Sequence, residues 1–182
     1  MFDDGAVLTL RRMTADDLVL MHAWAHAPHV ARWWREDGTL DEVRANFLPM
    51  IDGEDPTVPL IIELSGTPIG HAQWCRWGDF PEDGVRFDAD PDEYCIDYFI
   101  GDPDLCGRGV GTALIAELVR WVHESVDGTG ATPTGFLVDV EEANTASYRV
   151  LEKNGFTRLP DPHPDRETDD RSGPTVLFRR PW

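Results

Sequence analysis

Residues 106–112 read Cys106-Gly107-Arg108-Gly109-Val110-Gly111-Thr112 and fall between a strand-like run, Tyr94 to Gly101, and a long amphipathic segment. Glycines at 107, 109 and 111 let the backbone turn sharply and approach another group closely. The amides that open the following helix lie at the positive end of its dipole, where a pyrophosphate is well held. A glycine-rich corner that binds nothing would look the same. The run is not a Walker loop, since no Gly-Lys-Ser/Thr follows, and its spacing differs from the Gly-x-Gly-x-x-Gly dinucleotide fingerprint.

The other reactive residues are scattered. Cys75, Cys95 and Cys106 form no Cys-x-x-Cys pair, and they read as small apolar residues of a reducing compartment. The six histidines (22, 26, 29, 71, 123, 163) have no metal-ligand spacing, so no metal is expected. His22, His26 and His29 share roughly one helical face, which reads as solvated surface. Asp97 lies within the strand-like run. As a plain residue it would be a solvated strand position or a partner of Arg86.

The chain has 182 residues, 34 Asp+Glu against 16 Lys+Arg, a net charge of −18 and a pI near 4.5. Such a surface repels a phosphate backbone and an anionic membrane and attracts cations, so neither nucleic acid nor membrane is an expected partner. No apolar run is long enough to span a bilayer, and the acidic start Met1-Phe2-Asp3-Asp4 is unlike a signal peptide, which points to the cytoplasm.

The elements that must position these residues read as one mixed α/β domain over 1–182. Val7 to Arg12 alternates like a strand. Thr14 and Asp17 form a capping-box variant ahead of a helix that Pro28 ends. A second helix, Leu40 to Leu48, is capped by Thr39 and closed by Pro49. Trp33-Trp34 lie between the two. Leu60 to Leu64, the turn Ser65-Gly66-Thr67-Pro68, and Ile69 to Trp77 form a hairpin. Residues 78–93 read as an acidic loop, with seven carboxylates against Arg86. The amphipathic helix from Gly111 to about Ser125 carries Leu114, Ile115, Leu118, Val119 and Val122 on one stripe. A strand from Gly135 to Val140 and a helix from Asn144 to Asn154, stopped by Gly155, follow. Two closing strands, 156–159 and 175–179, flank a Pro- and Asp-rich loop at 160–173.

Strand, then [Gln/Arg]-x-x-Gly-x-Gly/Ala, then an amphipathic helix resembles the acyl-coenzyme A signature of the GNAT superfamily of N-acetyltransferases. Asp139-Val140-Glu141-Glu142-Ala143-Asn144 with Tyr148-Arg149-Val150-Leu151-Glu152-Lys153-Asn154-Gly155-Phe156 is similar to that superfamily's second hallmark. Several segments extend the likeness over nearly the whole chain. They are Met13-Thr14, Asp17-Leu18, Val30-Ala31-Arg32-Trp33-Trp34, Phe47-Leu48-Pro49, Thr67-Pro68-Ile69-Gly70-His71-Ala72-Gln73, Gly84-Val85-Arg86, Ile96-Asp97 and Gly173-Pro174. In these the chain resembles one branch, the aminoglycoside 6′-N-acetyltransferases.

The resemblance implies an α/β (α+β) fold, with a mixed central sheet splayed at the acetyl-CoA site and flanked by helices. It implies direct acetyl transfer from acetyl-CoA, as co-substrate, to the 6′-amino group of a cationic aminoglycoside. Backbone N–H groups around Phe99 and Ile100 would hold the thioester carbonyl. Amides of Arg108, Gly109, Val110, Gly111 and Thr112 would hold the pyrophosphate, and Asn144 the pantetheine arm. Asp97 would be the base or the group that orients the amine, and Asp139 a second substrate-binding acid. Trp34 matches an aromatic residue on the aminoglycoside face, though Trp33-Trp34 equally suits the core. The acidic loop would suit a polycation or be ordinary solvated chain.

The sequence departs from the family pattern at two places. Cys106 replaces the Gln/Arg that opens the coenzyme A signature. Leu151 stands where many family members place a Tyr general acid; Tyr148, one turn earlier, could take that part, or water could. Two other functions fit the same fold. One is acylation of a siderophore-type lysine or a polyamine; the family resemblance implies a His in this strand for the siderophore branch, and the absence of His from 94–101 disfavours it. The other is a non-catalytic acyl-CoA sensor. The chain would act as a monomer or homodimer.

Overall fold

The computed structural model describes residues 5–35, 38–160 and 174–182. Among the described residues, seven strands are hydrogen-bonded in the order β1-β2-β3-β4-β5-β7-β6. The sheet is mixed: β4–β5 is parallel, whereas β1–β2, β2–β3, β5–β7 and β6–β7 are antiparallel. By contact density the chain divides into two compact units, Met1–Trp74 with Asp97–Glu124, and Cys75–Ile96 with Ser125–Trp182.

The first unit contains β1 (Leu8–Arg12), α1 (Leu18–Ala25), α2 (Pro28–Trp34), α3 (Leu40–Asp52), β2 (Val58–Leu64), most of β3 (Thr67–Arg76), the end of β4 (Glu93–Ile100) and nearly all of α5 (Val110–Val126). Met13, Leu18, Met21, Val30, Val43, Phe47, Ile61 and Phe99 make a buried cluster, with Trp24 and Trp34 packed against it. Leu114, Ile115, Leu118, Val119 and Val122 are buried, as the stripe on α5 requires. Arg11 joins β1 to the turn at Ala15–Asp17: it donates to both carboxylate oxygens of Asp17 at 2.7 Å and to Glu63 at 2.8 Å. The Asp17 carboxyl is held below the usual carboxylate range, chiefly by that bond to Arg11. It also accepts from the Thr14 amide and hydroxyl, so the expected capping pair forms.

Several boundaries differ from the sequence reading. α1 ends at Ala25, and Pro28 opens α2 instead of closing a helix. Proline fits a first helical position, where no intrahelical N–H bond is lost, and Ala27 before it is extended (ψ 129°). The second difference is that α3 runs through Pro49 to Asp52. The amides of Gly53, Glu54 and Asp55 all donate to the Pro49 carbonyl, which closes the last turn around the proline. In the hairpin the turn is only Ser65-Gly66, both at positive φ, with Leu64 paired to Thr67.

The second unit contains α4 (Pro81–Phe87), β5 (Gly135–Glu141), α6 (Thr145–Lys153), β6 (Thr157–Arg158), β7 (Thr175–Pro181) and the start of β4. β5 pairs with β7 along its length, from Gly135↔Pro181 to Glu141↔Thr175. Its ladder with β4 consists of Glu93↔Gly135 and Tyr94↔Phe136. Trp77, Phe87, Cys95, Leu137 and Leu177 form the buried cluster, and the Trp77 indole N–H donates to the Leu137 carbonyl at 3.0 Å. A further difference lies here: the expected acidic loop contains helix α4. Pro81 at its first turn and the dipole-matched Glu82 and Asp83 outweigh the weak helix former Gly84. The expected loop at 160–173 falls outside the described residues from 161 onward.

Candidate active site

β3 and β4 bring the first group of residues together. On β4, Ile96 and Phe99 are buried, and Asp97, on the same face as Phe99, is half-buried. The Asp97 Oδ2 accepts a hydrogen bond from Gln73 Nε2 at 3.1 Å. Because a carboxylate only accepts, this bond fixes the Gln73 amide with its nitrogen toward Asp97 and its oxygen away. That oxygen lies 3.3 Å from His71 Nε2, so the imidazole carries its hydrogen on Nε2 and donates it to Gln73.

His71 is fully buried. Its ring meets Trp34, Phe47 and Phe99 at centroid distances of 5.3, 5.3 and 5.6 Å. Removal from water lowers its pKa to about 4, against smaller upward contributions from Gln73 and the Leu60 backbone, so the ring is neutral near pH 7. The Leu60 backbone lies near the ring without a hydrogen bond of ordinary geometry to Nδ1. Neither His71 nor Gln73 was singled out from the sequence. The sole signal there is their two-residue spacing on one face of β3, and the register against Asp97 is needed to use it.

Trp34 packs against the core without being fully enclosed. It is half-buried against the first unit's core and meets Phe99 edge-on at 5.0 Å, next to the expected carbonyl-binding backbone. Beyond Ile100 the strand end is pinned: the amides of Gly101 and Asp102 both donate to Ile69 O, and His29 Nε2 donates to Ile100 O at 2.9 Å. His29 is thus a structural hydrogen-bond donor rather than the solvated surface residue expected.

The glycine turn takes the form a phosphate cradle needs. Gly107 and Gly109 have φ of +72° and +92°, and no atom lies within 4 Å of where their Cβ atoms would sit. The turn leads directly into α5, whose 17 residues give it a full dipole. One expected donor is committed elsewhere: the Thr112 amide donates to Gly109 O at 3.1 Å. Arg108, Gly109, Val110 and Gly111 remain as the amides at the mouth of the helix.

In the second unit, Asp139 is half-buried on β5, between buried Val138 and Val140 and opposite Leu177 of β7. Asn144 caps α6, its Oδ1 accepting from the Ser147 amide at 3.3 Å, which leaves Nδ2 as the group able to hold a ligand. Leu151 is fully buried, so the position where the resemblance leads one to expect a Tyr general acid is core here. The Tyr148 hydroxyl donates to the Glu141 carbonyl at 3.3 Å, and burial pushes its pKa above the ordinary phenol value. Several carboxylates of residues 78–93 are paired within this unit: Asp79 and Asp92 with Arg76, and Glu93 with Arg179. That stretch is therefore less of an open acidic surface than its composition suggested. Among the described residues no group of three or more His, Cys, Asp or Glu could hold a metal ion, and no helix is long and apolar enough to cross a membrane.

Comparison with known proteins covers both the glycine turn and the Asp97 strand. The aminoglycoside N(6′)-acetyltransferase type 1 of Klebsiella pneumoniae is 29% identical over 154 residues, 83% of this chain and 74% of that protein. The crystal structure of aminoglycoside acetyltransferase AAC(6')-Ib with coenzyme A is similar at a TM-score of 0.76 and 29% identity, covering 96% of this chain and 95% of that one. The same enzyme with coenzyme A and kanamycin gives a TM-score of 0.75 at 29% identity, with the same coverage. The pattern of the acetyltransferase (GNAT) domain matches residues 13–162, and the chain belongs to the GNAT acetyltransferase family.

Proposed function

We propose that this protein is an acetyl-CoA-dependent aminoglycoside 6′-N-acetyltransferase acting by direct transfer. The observation that carries this reading is the likeness to AAC(6')-Ib, which runs across 96% of the chain and so includes acceptor-side as well as cofactor-side elements. The open, positive-φ turn at Gly107 and Gly109 ahead of α5 fits the pyrophosphate of the co-substrate.

Arg108, Gly109, Val110 and Gly111 would donate amides to the pyrophosphate, and Asn144 Nδ2 would hold the pantetheine arm. Acetyl-CoA supplies the thioester. The amine attacks its carbonyl carbon, the oxygen takes up negative charge, and the C–S bond breaks to release the thiolate. Backbone N–H groups at Phe99 and Ile100 would stabilise that oxygen. Asp97 would receive the 6′-ammonium, orient it, and take its proton directly or through water. Asp139 would hold a second ammonium group, and Trp34 would support the acceptor side from its seat against Phe99. Residues 1–182 are read as one domain, because β3 and β4 each begin in one unit and end in the other and a single family pattern spans 13–162.

The test is a thiol-release assay with acetyl-CoA and purified protein. Turnover is expected with kanamycin and other aminoglycosides that bear a 6′-amino group, and none with one that carries a hydroxyl there. No thiol release from any 6′-amino aminoglycoside would overturn the reading.

A further inference from the structure

We propose that Gln73 and His71 are positioning residues for Asp97, forming a one-directional hydrogen-bond relay that holds its carboxylate in one orientation and favours the charged form; the catalytic consequence rests on the function proposed above. The relay is read from three facts. Gln73 Nε2 donates to Asp97 Oδ2 at 3.1 Å. Gln73 Oε1 in turn faces His71 Nε2 at 3.3 Å. His71 is wholly buried among three aromatic rings and cannot swing away.

Each member removes a freedom from the next. Packing of Trp34, Phe47 and Phe99 holds the imidazole. A flip of the Gln73 amide would set its oxygen against the Asp97 carboxylate and its NH2 against the imidazole N–H, so the two partners hold one orientation between them. An unflipped amide always presents a donor to Asp97. Hydrogen bonding to the charged form of a carboxylate favours that form. A half-buried carboxylate aimed at an incoming ammonium gains from being held in one rotamer, since small errors in the placement of a reacting amine cost much of the rate.

The readout that a merely structural role would not move is the titration of Asp97 itself. Its carboxyl carbon can be followed by 13C NMR in the intact protein, assigned as the signal missing from Asp97→Asn. In Gln73→Met the midpoint should rise by about one pH unit, the equivalent of one hydrogen bond to a charged group. In Gln73→Glu, which keeps the native shape, the midpoint should rise at least as far, through like-charge repulsion. Both variants should lose about tenfold in kcat/KM for the aminoglycoside, with KM for acetyl-CoA within about twofold of wild type. His71→Phe, which keeps an aromatic ring in the box, should move the midpoint the same way by a smaller amount. An unchanged Asp97 midpoint in folded Gln73→Met and Gln73→Glu would overturn the relay, and an unchanged midpoint in His71→Phe alone would remove His71 from it. A shifted midpoint in variants of a protein that releases no thiol with any 6′-amino aminoglycoside would instead overturn the functional reading alone.

Discussion

Gly70 and Phe99 meet backbone to backbone: a Cβ on Gly70 would lie 2.3 Å from the Phe99 carbonyl oxygen, 3.1 Å from Ile100 Cα and 3.2 Å from Gly101 N. All three are main-chain atoms, so no side chain can step aside. The same stretch of β4 supplies the amides assigned to the thioester carbonyl. Gly70→Ala should therefore cost both stability and rate, with about 1–3 kcal/mol lost in urea unfolding. A drop in kcat of at least tenfold should accompany it, because donors that bind a developing oxyanion must sit within a few tenths of an ångström of their place. Unfolding curves and steady-state kinetics on the same preparation check both halves.

Asp97→Asn keeps the shape of the side chain and an acceptor for Gln73, but removes the charge. If the carboxylate receives the 6′-ammonium, kcat/KM for the aminoglycoside should fall by about 100-fold or more. Acetyl-CoA affinity, measured by calorimetry, should stay within about twofold, since the residues assigned to the pyrophosphate lie on the turn before α5 and at its first two positions. Full turnover in this variant would remove Asp97 from the chemistry while leaving the cofactor assignments standing.

Local signals carried much of the fold. The stripe on α5, the Thr14 and Thr39 caps, the hairpin at Ser65-Gly66 and the strand–turn–helix around Gly109 were all readable, because each depends on residues close in sequence. Prolines misled twice, at Pro28 and Pro49, since a proline can start a helix or be absorbed in a last turn as well as stop one. α4 was missed because its seven residues include both Pro81 and Gly84, with no apolar period to offset them. Within the candidate site, Asp97 and the glycine turn could be found from type and spacing. The Gln73–Asp97 bond could not, because the two residues are 24 positions apart and meet through strand register.

Burial of His71 as a neutral ring makes stability depend on pH, and the sign follows from which state binds the proton. In the unfolded chain the imidazole titrates near 6.5, whereas in the folded protein it takes up its proton only near pH 4. Between these values the unfolded state binds more protons, so stability falls as pH is lowered through this window. From pH 7 to pH 5 the His71 contribution to the loss should be about 2 kcal/mol. His71→Phe should be flatter than wild type over the same interval by that amount, while the acid-side loss below pH 4, where Asp17 gives up its bond to Arg11, should persist in both. Urea unfolding at half-unit pH steps gives the comparison. Parallel curves for the two proteins between pH 7 and 5 would contradict a neutral buried ring.

Tyr148 is the residue that sequence position offers as proton donor to the departing thiolate in place of Leu151. Burial raises its pKa, so it is protonated at neutral pH as a general acid must be. Its hydroxyl proton, however, already points to the Glu141 carbonyl at 3.3 Å, and its ring is held by Phe178 at 5.1 Å and by the Arg158 guanidinium at 5.6 Å. Those contacts describe a side chain placed by packing on α6. Coenzyme A thiolate is also a good leaving group that water can protonate after it departs. Tyr148→Phe should therefore leave kcat within about threefold and cost less than about 1 kcal/mol of stability, the worth of one ordinary hydrogen bond. A loss of 100-fold or more in kcat, with the high-pH limb of the rate profile abolished, would show instead that the hydroxyl leaves Glu141 and delivers its proton to sulfur.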